Sequence, residues 1–469
     1  VDALTIVIAL FYLVGLFCAF LALWRSRTPQ GTVAWIIGLI TVPMVAVPFF
    51  LVFGRKKFIG YIKQRQHYDR EASKEIKEIE GLLETNLHVA PLPYLSNLID
   101  ETQSLGFTDH NKVNLLINGE ETFESMLKTI EQAEKYILLQ VYIFRVDEIG
   151  NRFADLLIKK AKSGVKVYFL TDRIGSKLGT GFLKKLKKAG VHVHLFASWK
   201  NWGGHFQINF RNHRKILVVD GKTTYLGGHN IGDDYLGRWK NMGPWRDTQL
   251  RIEGPAALSA QLSFFKDWHW AKEEIIDLDW LPDPITDGKQ ILVLPTGPAD
   301  EKENCLLAHL SLIQAAKKRI WIATPYFVLP ESFYYTLALA AINGVEVKVL
   351  LPSYTDNKLI KYASEVYVER LLKSGVEFYR YLPGFLHQKV MLIDDEAALV
   401  GSVNLDPRSL LINFEIFAVS PEKDVIGAVG SMLESDFNVS QRIDPKEYEN
   451  RPLLQQFLCR ATNLIAPML

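Results

Sequence analysis

The period of apolar and polar positions changes along this chain, and the changes mark out its parts. From Ala3 to Trp24 the residues ALTIVIALFYLVGLFCAFLALW carry no charge, a run long enough for a helix to cross a bilayer. A second uncharged run, Thr32 to Phe53, follows the short link RSRTPQG, with Pro43 and Pro48 as expected kinks. Together they predict a transmembrane helical hairpin over residues 1–57. A signal peptide before a buried helix fits less well, because the first run is too long, lacks a basic start and is followed by a second run. Two spans put both ends of the hairpin on one side of the membrane. A second segment that dips in and returns would instead place the amino terminus on the opposite side. Arg55, Lys56, Lys57, Lys63 and Arg65 follow the second run, against Arg25 and Arg27 in the link, a balance that favours a cytoplasmic body. The charged, helix-prone stretch from Lys57 to Asn86 reads as a stalk, residues 58–93, closed by Pro91 and Pro93.

Beyond the stalk the pattern alternates between strand and helix periods. VNLLI precedes a helix expected from Glu121 to Glu134, KYILLQVYIF is a long apolar strand, Asn151 to Ser163 a helix, and VKVYFLTD a strand. The order then recurs. AKKRIWIATPYF (Ala316–Phe327) matches AEKYILLQVYIF (Ala133–Phe144), NGVEVKVLLP (Asn343–Pro352) matches SGVKVYFLTD (Ser163–Asp172), and SGVEFYRY (Ser374–Tyr381) matches AGVHVHLF (Ala189–Phe196). The fold class is therefore α/β: two pseudo-symmetric halves, residues 94–280 and 281–469, with mixed β-sheets flanked by helices and a site at their seam.

Composition adds bounds rather than direction. At 469 residues the chain is long enough for two or more domains, and a formal net charge of +2 gives no bulk signal for nucleic acid. Cys18, Cys305 and Cys459 lie far apart and form no disulfide framework or zinc pattern, as expected of a reducing compartment. His192 and His194 share a strand face but lack the acidic or thiol partners of a metal site.

The chemistry sits in a stretch that occurs twice. FRNHRKILVVDGKTTYLGGHN (Phe210–Asn230) and FLHQKVMLIDDEAALVGSVN (Phe385–Asn404) each read His-x-Lys, four residues, Asp, six residues, Gly-Gly or Gly-Ser, x, Asn. His213, Lys215, Asp220 and Asn230 thus match His387, Lys389, Asp394 and Asn404 at one constant offset of 174 residues. The residues between Lys and Asp are apolar and read as a buried strand, on which His and Lys, two apart, point the same way. Two such strands together form a cradle for a phosphodiester. The cations neutralise the phosphoryl oxygens, one imidazole attacks phosphorus, and the other protonates the departing alkoxide from the far side. The lysines already bring the charge that a metal would supply, so no metal or cofactor is expected. An attacking imidazole also needs its other nitrogen held, and Asp247 in PWRDT and Glu415 in NFEI are the candidate carboxylates. His229 and His205 lie near the site in sequence.

This paired constellation resembles the two HKD motifs of the phospholipase D superfamily. The resemblance covers almost the whole chain and, through GHNIGDDYLG, PWRDT and GSVNLDPRSLLINFE, is similar to the bacterial cardiolipin synthases. Pro29 and Trp35 stand at the hairpin turn with one residue more between them than that family's pattern. The resemblance implies a transphosphatidylation. One phosphatidylglycerol gives its phosphatidyl group to a histidine and releases glycerol, and a second phosphatidylglycerol takes it to form cardiolipin. It further implies His213 as nucleophile and His387 as acid and base. Lys215, Lys389, Asn230 and Asn404 would hold the phosphoryl oxygens, Asp247 and Glu415 would support, and Asp220 and Asp394 would be structural. The expected partners are phosphatidylglycerol, anionic phospholipid and the bacterial inner membrane, not nucleic acid, with self-association left open. The Trp-bearing loops Ala197–Asn209 and Leu236–Trp245 suit either a membrane interface or ordinary packing, and Lys184, Lys185, Lys187 and Lys188 either anionic headgroups or a solvated face. The apolar carboxy-terminal stretch from Arg451 either packs on the body or lies in the interface. Rival readings are a membrane-anchored phospholipase D that hydrolyses, a silent lipid-binding scaffold and, more weakly, a nuclease.

Overall fold

The computed structural model describes residues 2–25, 28–54, 61, 88–102, 105–197, 209–239 and 242–464. Most of the expected stalk, and the insertion loop with His205, lie outside them. The first apolar run is one helix, α1 (Ala3–Arg25). Among the described residues it is the one helix long and apolar enough to cross a membrane. The second run, expected as one kinked segment, is not a single helix. It divides into α2 (Pro29–Thr41) and α3 (Pro43–Phe53). Pro43 is the cause: it lacks an N–H and disfavours helical backbone in the residue before it, and Val42 accordingly sits at φ −136°, ψ 58°. Pro48 lies inside α3 without ending it.

The two short helices double back on each other. The rings of Trp35 and Phe50 meet with centroids 5.2 Å apart, and a Cβ on Gly38 would lie 3.5 Å from that of Ala46. In one continuous helix these pairs would be separated by about 22 and about 12 Å. With 13 residues, α2 is about 20 Å long, short of the roughly 30 Å hydrocarbon core. The turn rests on α1 at Gly15, where a Cβ would come within 2.5 Å of the Leu39 carbonyl oxygen.

The body holds two matching sets of seven strands. The first is β1 (Phe107–Ile117), β2 (Tyr136–Val141), β3 (Lys166–Asp172), β4 (His192–Phe196), β5 (Ile216–Val219), β6 (Thr223–Gly227) and β7 (Thr248–Glu253). The second is β8 (Lys289–Thr296), β9 (Arg319–Ala323), β10 (Glu346–Pro352), β11 (Glu377–Tyr381), β12 (Val390–Ile393), β13 (Ala397–Gly401) and β14 (Glu415–Ser420). Their spatial orders are β1-β7-β6-β5-β2-β3-β4 and β8-β14-β13-β12-β9-β10-β11, and antiparallel pairing of β1 with β8 joins them into one sheet. Expected strands are found, some shortened at their ends. The helix expected from Glu121 begins earlier, at Asn118, and ends at Glu131.

Alternation along the central strands sends side chains to two layers. Ile137 and Leu139 of β2 face α4 (Glu148–Lys162), while Tyr136 and Leu138 face α5 (Ala257–Lys272). In the second half Ile320 and Ile322 of β9 face α6 (Glu331–Ile342), and Trp321 and Ala323 face α8 (Lys423–Asn438). Helix α7 (Lys358–Leu372) lies beside α6, and α9 (Leu453–Leu464) packs on α7. The layer with α5 and α8 is a single core that runs through both halves, so the seam is as well packed as either half.

Candidate active site

Each motif enters its strand in the same way. His213 and Lys215 immediately precede β5, and His387 and Lys389 immediately precede β12; both strands are buried throughout. The histidines are 9% exposed, so each ring is reached from one side only. Each lysine folds back on its own motif: Lys215 Nζ donates to the His213 carbonyl oxygen at 2.6 Å, and Lys389 Nζ donates to that of His387. The carboxylates are exchanged between the halves. His213 Nδ1 donates to Glu415 Oε2 at 2.9 Å, and His387 Nδ1 donates to Asp247 Oδ2 at 2.6 Å. Backbone contacts repeat the exchange, with His213 N–H donating to Phe414 O at 2.9 Å and His387 N–H to Arg246 O at 2.8 Å. Donation from Nδ1 leaves Nε2 of both rings available for chemistry.

Burial governs the electrostatics. It pulls both imidazoles below their usual range, His387 to about 3, and draws Lys215 down to about 7 and Lys389 to about 8. Burial alone would raise Asp247 and Glu415, but the histidines they hold, together with nearby lysine charge, more than offset it and keep both carboxyls below the usual range. Lys389 also depresses His213, and Lys215 depresses His387, so the two cradles share one field. Four basic side chains converge on one buried volume, and each loses affinity for protons because of it.

Comparison with known proteins agrees with this duplicated arrangement. The family described as "Cardiolipin synthase, PLD-like domain" matches residues 126–245 and 309–437, one block per half. Over 477 aligned residues the chain is 39% identical to cardiolipin synthase A of Pseudomonas putida, covering 99% of this chain and 98% of that protein. It belongs to the cardiolipin synthase family. The cardiolipin synthase A of Pseudomonas fluorescens is 40% identical, with 98% of each chain covered. Among solved structures, phosphatidylserine synthase of Haemophilus influenzae superposes with a TM-score of 0.62 at 15% identity, over 81% of this chain and all of that one. At that identity the likeness speaks for the fold alone.

In this cardiolipin synthase family member the remaining motif residues divide between the site and the frame. Asp220 and Asp394 sit in left-handed turns at φ 54° and 50°, a conformation Asp tolerates. Asp220 accepts the backbone N–H groups of Glu134, Lys135 and Tyr136, each at 2.8 Å. Asp394 accepts those of Lys317, Lys318 and Arg319 at 2.7–2.8 Å. Both stand at the far ends of β5 and β12 from the histidines. Asn230 accepts from the Ile143 N–H at 2.9 Å and donates to Tyr235 Oη at 2.7 Å, which shapes the wall beside His387. The buried Asn404 Oδ1 has no hydrogen-bond partner among the described residues.

Several contributors have roles that their place in the sequence does not announce. Ser402 Oγ donates to Glu415 Oε2 at 2.5 Å. At the matching position Gly228 leaves room for Asp247, since a Cβ there would lie 1.9 Å from Oδ1. Tyr142 stands edge-on to His213 at 5.1 Å, and Trp245 lies 5.0 Å from His387. The variable position of each motif points to the opposite sheet face and finds a buried acid. Arg214 donates to Asp267 of α5 at 2.7 Å, and Gln388 donates to Asp436 of α8 at 2.7 Å. Tyr61 donates to the other oxygen of Asp267 at 3.0 Å and packs on Phe414. His229, near the site in sequence, is buried against Phe123 and Tyr235, and Trp245 of the second Trp-bearing loop is packed rather than displayed. His192 rests on Tyr168 and His194 on Trp268.

Proposed function

We propose that this chain makes cardiolipin by moving a phosphatidyl group between two phosphatidylglycerol molecules through a phospho-histidine. His213 Nε2 attacks phosphorus, the bond from phosphorus to the glycerol oxygen breaks, and His387 Nε2 gives its proton to the departing glycerol. A hydroxyl of the second phosphatidylglycerol then enters. His387 takes its proton, its oxygen attacks phosphorus, and the nitrogen–phosphorus bond breaks to restore His213. Lys215 and Lys389 neutralise the phosphoryl oxygens, and Glu415 and Asp247 hold the two rings. The observation that carries this reading is the exchange of carboxylates, which ties both imidazoles to one seam. Depressed basicity fits an anionic substrate: empty, the site sheds protons, and an arriving phosphodiester favours the protonated forms of His387 and both lysines.

The doubled-back second segment supports an orientation. The chain leaves α3 at Gly54 on the side where α1 ended at Arg25, and with the basic sequence that follows each run this favours a cytoplasmic body and an amino terminus across the membrane. The deciding experiment gives purified enzyme phosphatidylglycerol alone, beside His213→Ala and His387→Ala, with lipids resolved by mass spectrometry. Cardiolipin and free glycerol, lost in both variants, are expected. Phosphatidic acid in place of cardiolipin would make the enzyme a hydrolase, and no turnover would refute the reading. For orientation, a single cysteine at Asp2 is expected to resist membrane-impermeant thiol reagents in inside-out vesicles. Its labelling there would restore two spans.

A further inference from the structure

The internal repeat provides a control for reading the surface, because helices α4 and α6 occupy equivalent places in the two halves. Their alignment continues that of the following strands without a gap, so Asn151–Lys162 corresponds to Glu331–Ile342. Burial verifies the register: Phe153 and Leu157 match Phe333 and Leu337, all four fully buried. On the outward face the halves part. Asp155, Lys159 and Lys162 of α4 are exposed charges, the first two paired with Lys185 at 2.8 Å and Glu131 at 3.1 Å. The corresponding residues of α6 are Tyr335, Leu339 and Ile342, exposed by 61%, 58% and 68%. The register and the central Phe and Leu of the core face are shared, yet water-facing charges in one half are replaced by apolar side chains in the other.

Helix α9 repeats the anomaly. It packs on α7 through Cys459 and Thr462 and turns Leu453, Leu454, Phe457 and Leu464 outward, Leu453 83% and Phe457 67% exposed. An ordinary surface helix buries its leucines and shows its polar side. On α6, α7 and α9 themselves, counting Lys373 at the end of α7, the basic side chains Lys358, Lys361, Arg370, Lys373 and Arg460 outnumber the surface acids Glu331 and Glu369, with the exposed acids Asp356, Asp444 and Glu447 lying beside α7. Exposed apolar rows set among lysines and arginines match the boundary between acyl chains and anionic headgroups. A bilayer is also at hand, since the same chain carries α1.

We infer that the outer face of α6, α7 and α9 rests on the anionic phospholipid surface, with Leu339 and Phe457 entering the headgroup–acyl boundary, whereas the equivalent face of α4 stays in water. The inference rests on membrane attachment through α1 and not on the reaction catalysed. The test uses full-length enzyme with single cysteines at Leu339, Phe457 or, as the matched control, Lys159. Cys18, Cys305 and Cys459 are buried. Each variant carries a polarity-sensitive fluorophore and is reconstituted into phosphatidylethanolamine–phosphatidylglycerol vesicles containing a lipid spin-labelled near the carbonyl. Quenching at 339 and 457 is expected to exceed that at 159 severalfold. Quenching no greater than at 159 overturns the inference. So does energy transfer between labelled copies at high lipid-to-protein ratio without lipid quenching, which would make the face a contact between two copies. Because quenching does not require turnover, the result is independent of the proposed reaction.

Discussion

Exchanging the carboxylates between halves predicts which histidine each acid serves, and chemistry can distinguish the two. Asp247 lies closer in sequence to His213 but holds His387, the proposed acid, at 2.6 Å; Glu415 holds the proposed nucleophile His213 at 2.9 Å. Both acids are fully buried, so removing either charge while keeping the shape, Asp247→Asn or Glu415→Gln, breaks a buried pair worth about 3–5 kcal/mol. At 1.36 kcal/mol per decade this is about 10²- to 10⁴-fold in the rate of cardiolipin formation from phosphatidylglycerol. The two variants separate on a second substrate, a phosphatidyl ester of p-nitrophenol, whose leaving group departs without a proton. A variant with a weakened acid recovers on that ester, and a variant with a weakened nucleophile does not. The nitrophenol burst, followed by absorbance under single-turnover conditions, is therefore expected within about tenfold of wild type in Asp247→Asn. It should remain reduced by the full factor in Glu415→Gln. Recovery in Glu415→Gln alone would reverse the roles of the histidines, and equal behaviour of the two variants would refute the assignment of distinct roles.

Other consequences follow from the same geometry. With the charge of Lys215 lost through about pH 7 and that of Lys389 through about 8, kcat/KM for the anionic lipid is expected to fall as pH rises through this window; a profile flat to the ordinary lysine range would contradict the burial argument. Asp394→Ala removes an acceptor from three backbone N–H groups and leaves alanine at φ 50°, so thermal unfolding in detergent should show a loss of at least about 3 kcal/mol, with Asp394→Asn losing less. Gly228→Ala pushes a methyl group into Asp247, and its defect is expected to match that of Asp247→Asn, including recovery on the nitrophenyl ester.

The repeated half was legible because duplication preserves spacing: His213 and His387, with their lysines and aspartates, fall at one offset, and the strands that carry them are plainly apolar. Which acid meets which histidine was not legible, since it depends on two segments crossing the seam, a relation with no trace in local pattern. Asn230 shows a similar limit. Its place in the motif is plain, but its amide is engaged by Ile143 and Tyr235, which are brought near only by folding. The break in the second apolar run was legible only in part. Hydrophobicity is the same whether a helix runs straight or bends, and Pro43 was visible as a kink without the angle of the bend. For Trp245 composition fitted membrane or core equally, and packing against His387 decides for the core.

Reciprocal holding of each histidine by the other half also bears on how such a chain can arise and diverge. A polypeptide with a single motif would have an imidazole without its acid and could complete both contacts only by meeting a second copy about a two-fold axis. Joining two copies in tandem makes that symmetric encounter permanent and independent of concentration, and it then releases the copies from being identical. The differences already in place, a short acid over glycine in one half and a longer acid under Ser402 in the other, are ones no symmetric pair of identical chains could maintain. Tandem duplication thus allows one inherited site to assign its two ends to different tasks.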